Sequence, residues 1–216
     1  MKSILFVVAH PDDVAGGMGG TALLLKDKYD LHVICATKGE RGLIGTSLEE
    51  TASIREKEEI EECRMLSAKL HFLGRIDREL FADRETSMMV ADIINATEPI
   101  AIFTIWPVDS HPDHSAVSEI ARKGIFLSGK NPELIFSEES TYQTMHFKPD
   151  FYVDITKVID RKMELIRCHA CQNVEDKIAQ DFLGKSVMHG KESGYRHAEG
   201  FKTVLYPDTE SILRSL

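Results

Sequence analysis

Cysteine is scarce in this 216-residue chain. The four that occur, at positions 35, 63, 168 and 171, are too few and too unevenly placed for a disulfide framework, which leads us to expect a reducing, cytoplasmic setting. Positive charge is also short: 26 basic against 35 acidic side chains give a formal −9. That balance argues against affinity built on nucleic-acid phosphates or an anionic membrane and favours a small-molecule partner. Long apolar runs are absent. The opening run at residues 4–9 is shorter than a signal-peptide core, and no other stretch approaches a membrane span. Repeats, low-complexity tracts and linker compositions are missing too, so with 43% hydrophobic and 28% charged residues the chain reads as one soluble domain over 1–216.

What is present alternates between strand and helix signals. Residues 4–9 and 31–36 are apolar on both faces, as strands of a buried parallel sheet are, and residues 21–28 between them read as a crossover helix. After glycines 39, 42 and 45, Ser47 followed by Glu50 offers a capping box for a long helix to about residue 68, with Ile60, Cys63 and Leu66 as its inner stripe. Seven acidic residues against two basic ones between positions 49 and 62 read as a solvated face. Further strands are expected at 70–73, 100–105, 134–136 and 151–153. Helices are expected at 86–96, 114–125, 155–171 and 175–183. This alternation predicts a three-layer α/β domain.

Two polar clusters stand directly after apolar strands. His10-Pro11-Asp12-Asp13 follows the first, and Asp109-Ser110-His111-Pro112-Asp113-His114 follows the strand at 100–105. Open α/β sheets present ligand-binding residues at the carboxyl ends of their strands, so if both strands are central and parallel the clusters meet. Together they supply histidines and carboxylates of the kind that hold a catalytic divalent metal: zinc first, with iron or cobalt also compatible. Each cluster alone reads equally well as a turn with a helix-capping aspartate.

The residues Ala9-His10-Pro11-Asp12-Asp13 and His111-Pro112-Asp113-His114 resemble the signatures of the LmbE-like, or PIG-L, zinc-dependent N-deacetylases. The likeness extends to Gly19-Gly20-Thr21, Thr37-Lys38-Gly39-Glu40, Arg55-x-x-Glu58 and Ala198-Glu199-Gly200-Phe201, and so covers nearly the whole chain. It implies a Rossmann-like three-layer sandwich with a mostly parallel central sheet. It also implies Zn2+ on His10, Asp13 and His114, with Asp12 as general base and His111 stabilising the transition state, supported by a carboxylate such as Asp113. Arg55 and Asp77 match substrate-contacting positions, and Arg41 is a candidate for binding an anionic aglycone. The activity implied is removal of an N-acetyl group from an N-acetylglucosamine-type conjugate; cleavage of a larger amide, or a non-catalytic metal- or nucleotide-binding role, are the alternatives. A homo-oligomer, trimer or hexamer, is expected from the resemblance alone.

One departure from the pattern is Val14, where many members carry Glu. With Gly17-Met18-Gly19-Gly20-Thr21 it is closer to the branch that includes the bacillithiol-pathway deacetylases. The glycine run at 16–20 lacks G-x-G-x-x-G spacing and reads as close packing of the turn rather than a phosphate cradle. Cys168-His169-Ala170-Cys171 reads as helical thiols rather than redox chemistry. Tyr195, His197 and Glu199 could reach a pocket rim, while His32, His71, His146 and His189 read as structural.

Overall fold

A computed structural model describes residues 1–139, 143–204 and 211–215. The apolar runs become the centre of a seven-stranded sheet: β1 (Ser3–Val8), β2 (Asp30–Thr37), β3 (Lys69–Arg75), β4 (Ala101–Ile105), β5 (Glu133–Ser137), β6 (Phe151–Asp154) and β7 (Ala198–Val204). Its order is β3-β2-β1-β4-β5-β7-β6. The pairs from β3 through β5 are parallel, and β7 runs antiparallel to both β5 and β6. Mostly parallel strands at the centre agree with the expectation from sequence.

Side chains alternate along β1, so one strand serves two cores. Ile4, Phe6 and Val8 join one buried cluster with Met18, Phe103 and Leu165. Leu5, Val7 and Ala9 join another with Val90, Ile94, Val117 and Ile120. On the first side lie α1 (Asp13–Gly17), α2 (Gly19–Leu25), α3 (Leu48–Leu66), α6 (Ile159–Cys168) and α7 (Lys177–Ser193); on the second, α4 (Arg84–Thr97) and α5 (Pro112–Ser128).

Several boundaries differ from the sequence reading. The first crossover is two short helices, broken at Met18, whose φ −136° and ψ 0° leave the helical region. Ser47 does cap α3, its hydroxyl accepting the Glu50 N–H at 3.1 Å. The inner face of α3 is not the expected apolar stripe: Ile60 is exposed, while Thr51, Arg55, Glu59 and Glu62 are buried beside Cys63 and Leu66. The acidic run is therefore only partly a solvated face. α6 stops at Cys168, so Cys171 lies in the following turn and neither thiol is fully buried. Glu199 turns inward rather than toward a rim: its two oxygens accept the N–H groups of Gly20 (2.8 Å) and Thr21 (2.7 Å) at the start of α2.

The strand order reverses direction of growth between β1 and β4. The loops leaving those two strands accordingly open onto one crevice.

Candidate metal centre and active site

The loop after β1 is folded back by its own acid. Asp13, the first residue of α1, accepts the N–H groups of Ala9 (2.9 Å) and His10 (2.8 Å) on Oδ2, which leaves Oδ1 facing the crevice. Asp12 adopts φ 95°, a left-handed conformation uncommon for a residue with a side chain. Arg55, buried in α3, holds it there. One guanidinium nitrogen donates to the Pro11 carbonyl at 2.6 Å and to Asp12 Oδ2 at 3.0 Å, and the other to the Gly39 carbonyl at 3.2 Å. Gly39 has φ +60°, and a Cβ there would stand 2.2 Å from the guanidinium, so a larger residue is excluded twice over.

The second cluster opens α5. Asp109 accepts the His111 N–H at 2.8 Å and the Thr144 hydroxyl at 2.8 Å. His111 caps the helix, its Nδ1 accepting the Asp113 N–H at 3.3 Å. That bond assigns the His111 proton to Nε2. Burial, reinforced by repulsion from His10 and His114, holds this imidazole below its ordinary range, so the ring is a neutral Nε2–H donor. The carboxylate of Asp113 makes no hydrogen bond to His111, contrary to the support expected from sequence. It faces His10 Nε2 at 3.3 Å and accepts the Arg78 N–H at 2.6 Å.

The donor set fits a divalent metal. His10 Nε2 stands 3.3 Å from both Asp77 Oδ1 and Asp113 Oδ2, and His114 Nδ1 stands 3.2 Å from Asp109 Oδ1, though poorly aligned for a hydrogen bond. Carboxylates on these nitrogens leave His10 Nδ1 and His114 Nε2 as the free ligand atoms, the usual arrangement behind metal-bound imidazoles. Those two nitrogens lie 3.8 and 3.7 Å from Asp13 Oδ1. Tetrahedral zinc at 2.0–2.2 Å would space its ligand atoms by about 3.3–3.5 Å, so a small contraction suffices. His111 belongs to the same cluster: one nitrogen from each of His10, His111 and His114 falls within 4.8 Å of the others.

Charge is strongly organised here. Burial works to lower the His10 imidazole, but the carboxylates of Asp113, Asp13 and Asp77 around the ring together hold it well above the ordinary histidine range. Burial would raise the Asp13 carboxyl, yet His10 and His114 bring it down to about 2. Asp12 behaves oppositely: burial raises it, and Arg55 only partly compensates. Adjacent aspartates are thereby split into one held ionised and one more basic.

A cavity of about 250 Å³ opens over this centre. Its walls include His10, Asp12, Asp13, Arg55, Asp77, His111 and His114, which unites most of the residues singled out from sequence. Asp113, which lies behind His10, and Arg41 are not in the wall. The Arg41 guanidinium turns to Glu79 and the Asp77 carbonyl, away from the cavity, because those acceptors follow β3 directly beside its own loop. Arg78 lines the wall instead. Asp77 reaches the cavity but is buried against His10 and the Arg41 N–H (3.0 Å), so its carboxylate backs the His10 ring as well as lining the wall. The sequence reading missed His169, Glu139 and Lys185 in the walls. The C-x-x-C spacing draws attention to the cysteines flanking His169, and Glu139 and Lys185 carry no motif.

The parallel sheet, the histidine and carboxylate centre at its switch point, and the cavity above it define a metal-associated hydrolase. The chain belongs to the PIG-L family, described as GlcNAc-PI de-N-acetylase, which it matches over residues 5–125. It is 30% identical over 223 residues to the diacetylchitobiose deacetylase of Thermococcus kodakarensis, covering 94% of this chain and 84% of that one. It is 26% identical to the 4-oxalmesaconate hydratase of Pseudomonas putida, covering 98% and 92%. With the probable N-acetyl-alpha-D-glucosaminyl L-malate deacetylase 2 of Bacillus subtilis it shares 29% identity, covering 79% and 83%. The structure of N,N'-diacetylchitobiose deacetylase from Pyrococcus horikoshii superposes with a TM-score of 0.85 at 27% identity, covering 96% of this chain and 88% of that one. Family and fold together make this chain a hydrolase of the deacetylase type.

Proposed function

We propose that the chain hydrolyses the N-acetyl group of an N-acetylglucosamine-type sugar conjugate, releasing acetate and a free amine. The observation that carries this reading is the division of labour between Asp12 and Asp13: one faces His10 and His114, the other is clamped by Arg55 and remains available as a base. His10 Nδ1, Asp13 Oδ1 and His114 Nε2 would hold the ion, for which Zn2+ suits the donors best and Fe2+ or Co2+ are compatible. When bound, such an ion polarises an amide carbonyl and makes water acidic near neutrality.

The chain's own residues supply the rest. Asp12 accepts the proton of the attacking water and returns it to the departing nitrogen. His111 Nε2–H donates to the oxygen that gains charge. Asp77 and Asp113 hold His10 in orientation. Arg55 and Arg78 bring positive charge to a cavity inside an acidic protein, which admits an anionic conjugate.

Two relatives named for deacetylating diacetylchitobiose and a glucosaminyl malate support the sugar assignment, and the second supports a place near the bacillithiol-pathway branch. We further infer a single domain that works as a homo-oligomer in the cytoplasm; no helix among the described residues is long and apolar enough to cross a membrane. The hydratase relative shows that similar chains carry other water chemistry, so the assay must discriminate. Zinc-loaded protein is incubated with a panel of N-acetyl amino sugars and larger N-acyl conjugates, and released acids are quantified alongside bound metal. Acetate from the amino sugars is expected. A larger acid alone would assign the amidase reading, and no acid from any member overturns hydrolysis of amides.

A further inference from the structure

Behind the Asp12 side of the cavity lies a second cluster that the proposed reaction does not use. Glu59 and Glu62 sit three residues apart on the inward face of α3, and His169 follows the end of α6. All three are buried to within 1% of full enclosure. One ligand atom from each lies within 4.8 Å of the other two, and His169 also lines the catalytic cavity, which gives the cluster a route to solvent.

As hydrogen-bonded groups these residues are poorly satisfied. His169 Nε2 meets Glu62 Oε2 at 2.6 Å, but Glu62 Oε1 has no partner, and neither has Glu59 Oε2. The other Glu59 oxygen is left with the Cys63 thiol, 4.0 Å away. Two carboxylates enclosed side by side against a single imidazole form an expensive arrangement. Burial pushes both acids up, Glu59 well above the carboxylate range, and His169 is carried upward despite burial by Cys168 and Glu62. Two enclosed carboxyls facing one imidazole leave the cluster short of positive charge.

We propose that Glu59, Glu62 and His169 form a second divalent metal site, distinct from the centre at His10, Asp13 and His114. Two carboxylates and an imidazole are a ligand set for Zn2+, Fe2+ or Mn2+. Uptake balances in charge when a dication displaces two protons from the cluster and is held by two carboxylates and a neutral ring. The two oxygens now without partners become ligands. Since the ligand atoms of a tetrahedral ion lie about 3.3–3.5 Å apart, binding parts the His169–Glu62 hydrogen bond, now 2.6 Å long.

Metal stoichiometry tests the site without reference to activity. The full chain is stripped with a chelator, reloaded with Zn2+, desalted and assayed by mass spectrometry of the metal, with circular dichroism confirming the fold. Wild type is expected to hold two equivalents per chain, Glu62→Gln and Glu59→Gln one each, and His10→Ala one. Crystals of the zinc-loaded wild type should show an anomalous peak between Glu59, Glu62 and His169. One equivalent in wild type, unchanged in folded Glu62→Gln and Glu59→Gln, or no such peak at full loading, overturns the second site. Failure of the amide assay leaves this measurement untouched, so the two proposals fall separately.

Discussion

Arg55 and Asp12 are joined at 3.0 Å by the same guanidinium nitrogen that grips the Pro11 carbonyl at 2.6 Å. The clamp fixes a carboxylate whose backbone sits at φ 95°, so the position of the proposed base depends on a residue forty-three places away. Lysine keeps the charge but cannot grip both acceptors and Gly39 at once. Arg55→Lys is expected to lower kcat by about 10–100-fold with bound metal unchanged, because misplacing a reacting group by an ångström costs on that order. A variant with wild-type kcat would remove the clamp from the mechanism.

Asp12 itself separates base from ligand. Asp12→Asn retains size and the Arg55 side of the loop but cannot accept a proton, and general-base loss costs about 10²–10⁴-fold in turnover. Metal content, measured on the same preparation, is expected to match wild type. Loss of metal with retained turnover would reverse the roles of Asp12 and Asp13.

Much of this centre was legible from sequence because its residues are local in the chain and fall at strand ends. Ala9 to Asp13 and His111 to His114 needed only the inference that β1 and β4 are adjacent and parallel, which their two-sided apolar character supports. Where long-range side-chain choice decided the outcome, pattern reading stopped short. Asp113 turns to His10 and not to its neighbour His111, and Arg41 chooses Glu79 over the cavity; neither choice leaves a trace in spacing. The α3 face misled for the opposite reason. A run of glutamates ordinarily means solvent, but Glu59 and Glu62 face the end of α6, whose His169 compensates one of them.

Asp113 offers a direct test of that altered role. As a partner of His10 Nε2, at 3.3 Å, it sets the orientation of a proposed ligand. Asp113→Asn should weaken zinc affinity by about 10–100-fold, the usual cost of losing a carboxylate behind a ligating histidine. Had Asp113 served His111 instead, zinc affinity would stay put and kcat alone would fall. Competition against a chromophoric chelator measures the first, and turnover at saturating zinc the second.

Lys185 gives a pH dependence whose sign follows from its surroundings. Burial lowers its ammonium to about 8 despite Glu138 and Glu139 nearby, and its Nζ donates to the carbonyls of those residues at 3.1 and 2.7 Å. The unfolded chain keeps this lysine protonated to about 10.4, so between pH 8 and that value the unfolded state binds more protons. Stability from this group therefore rises with pH across that window, by up to roughly 3 kcal/mol, and is flat below it. Urea unfolding of wild type and Lys185→Met at pH 7.5 and pH 10 isolates the effect. The wild type should gain on the variant at the higher pH; a constant difference would mean that the folded lysine titrates normally.

Glu199 and Lys162 form an enclosed ion pair at 2.6 Å, and the same carboxylate caps α2 through Gly20 and Thr21. The two jobs make Glu199 costly to remove alone. Glu199→Ala strands a fully buried ammonium and uncaps a helix whose start packs against Leu165 and Ile155, and breaking a buried pair from one side costs about 3–5 kcal/mol. Removing both charges is different, because an apolar pair of similar volume no longer carries the desolvation of an unmatched ion. Lys162→Met with Glu199→Ala should recover part of the loss, and what remains unrecovered is the cap, about 1 kcal/mol. Chemical denaturation of the two single variants and the double variant yields the coupling directly. Equal and additive losses would show that Lys162 finds another partner in the folded chain, and that the carboxylate serves α2 alone.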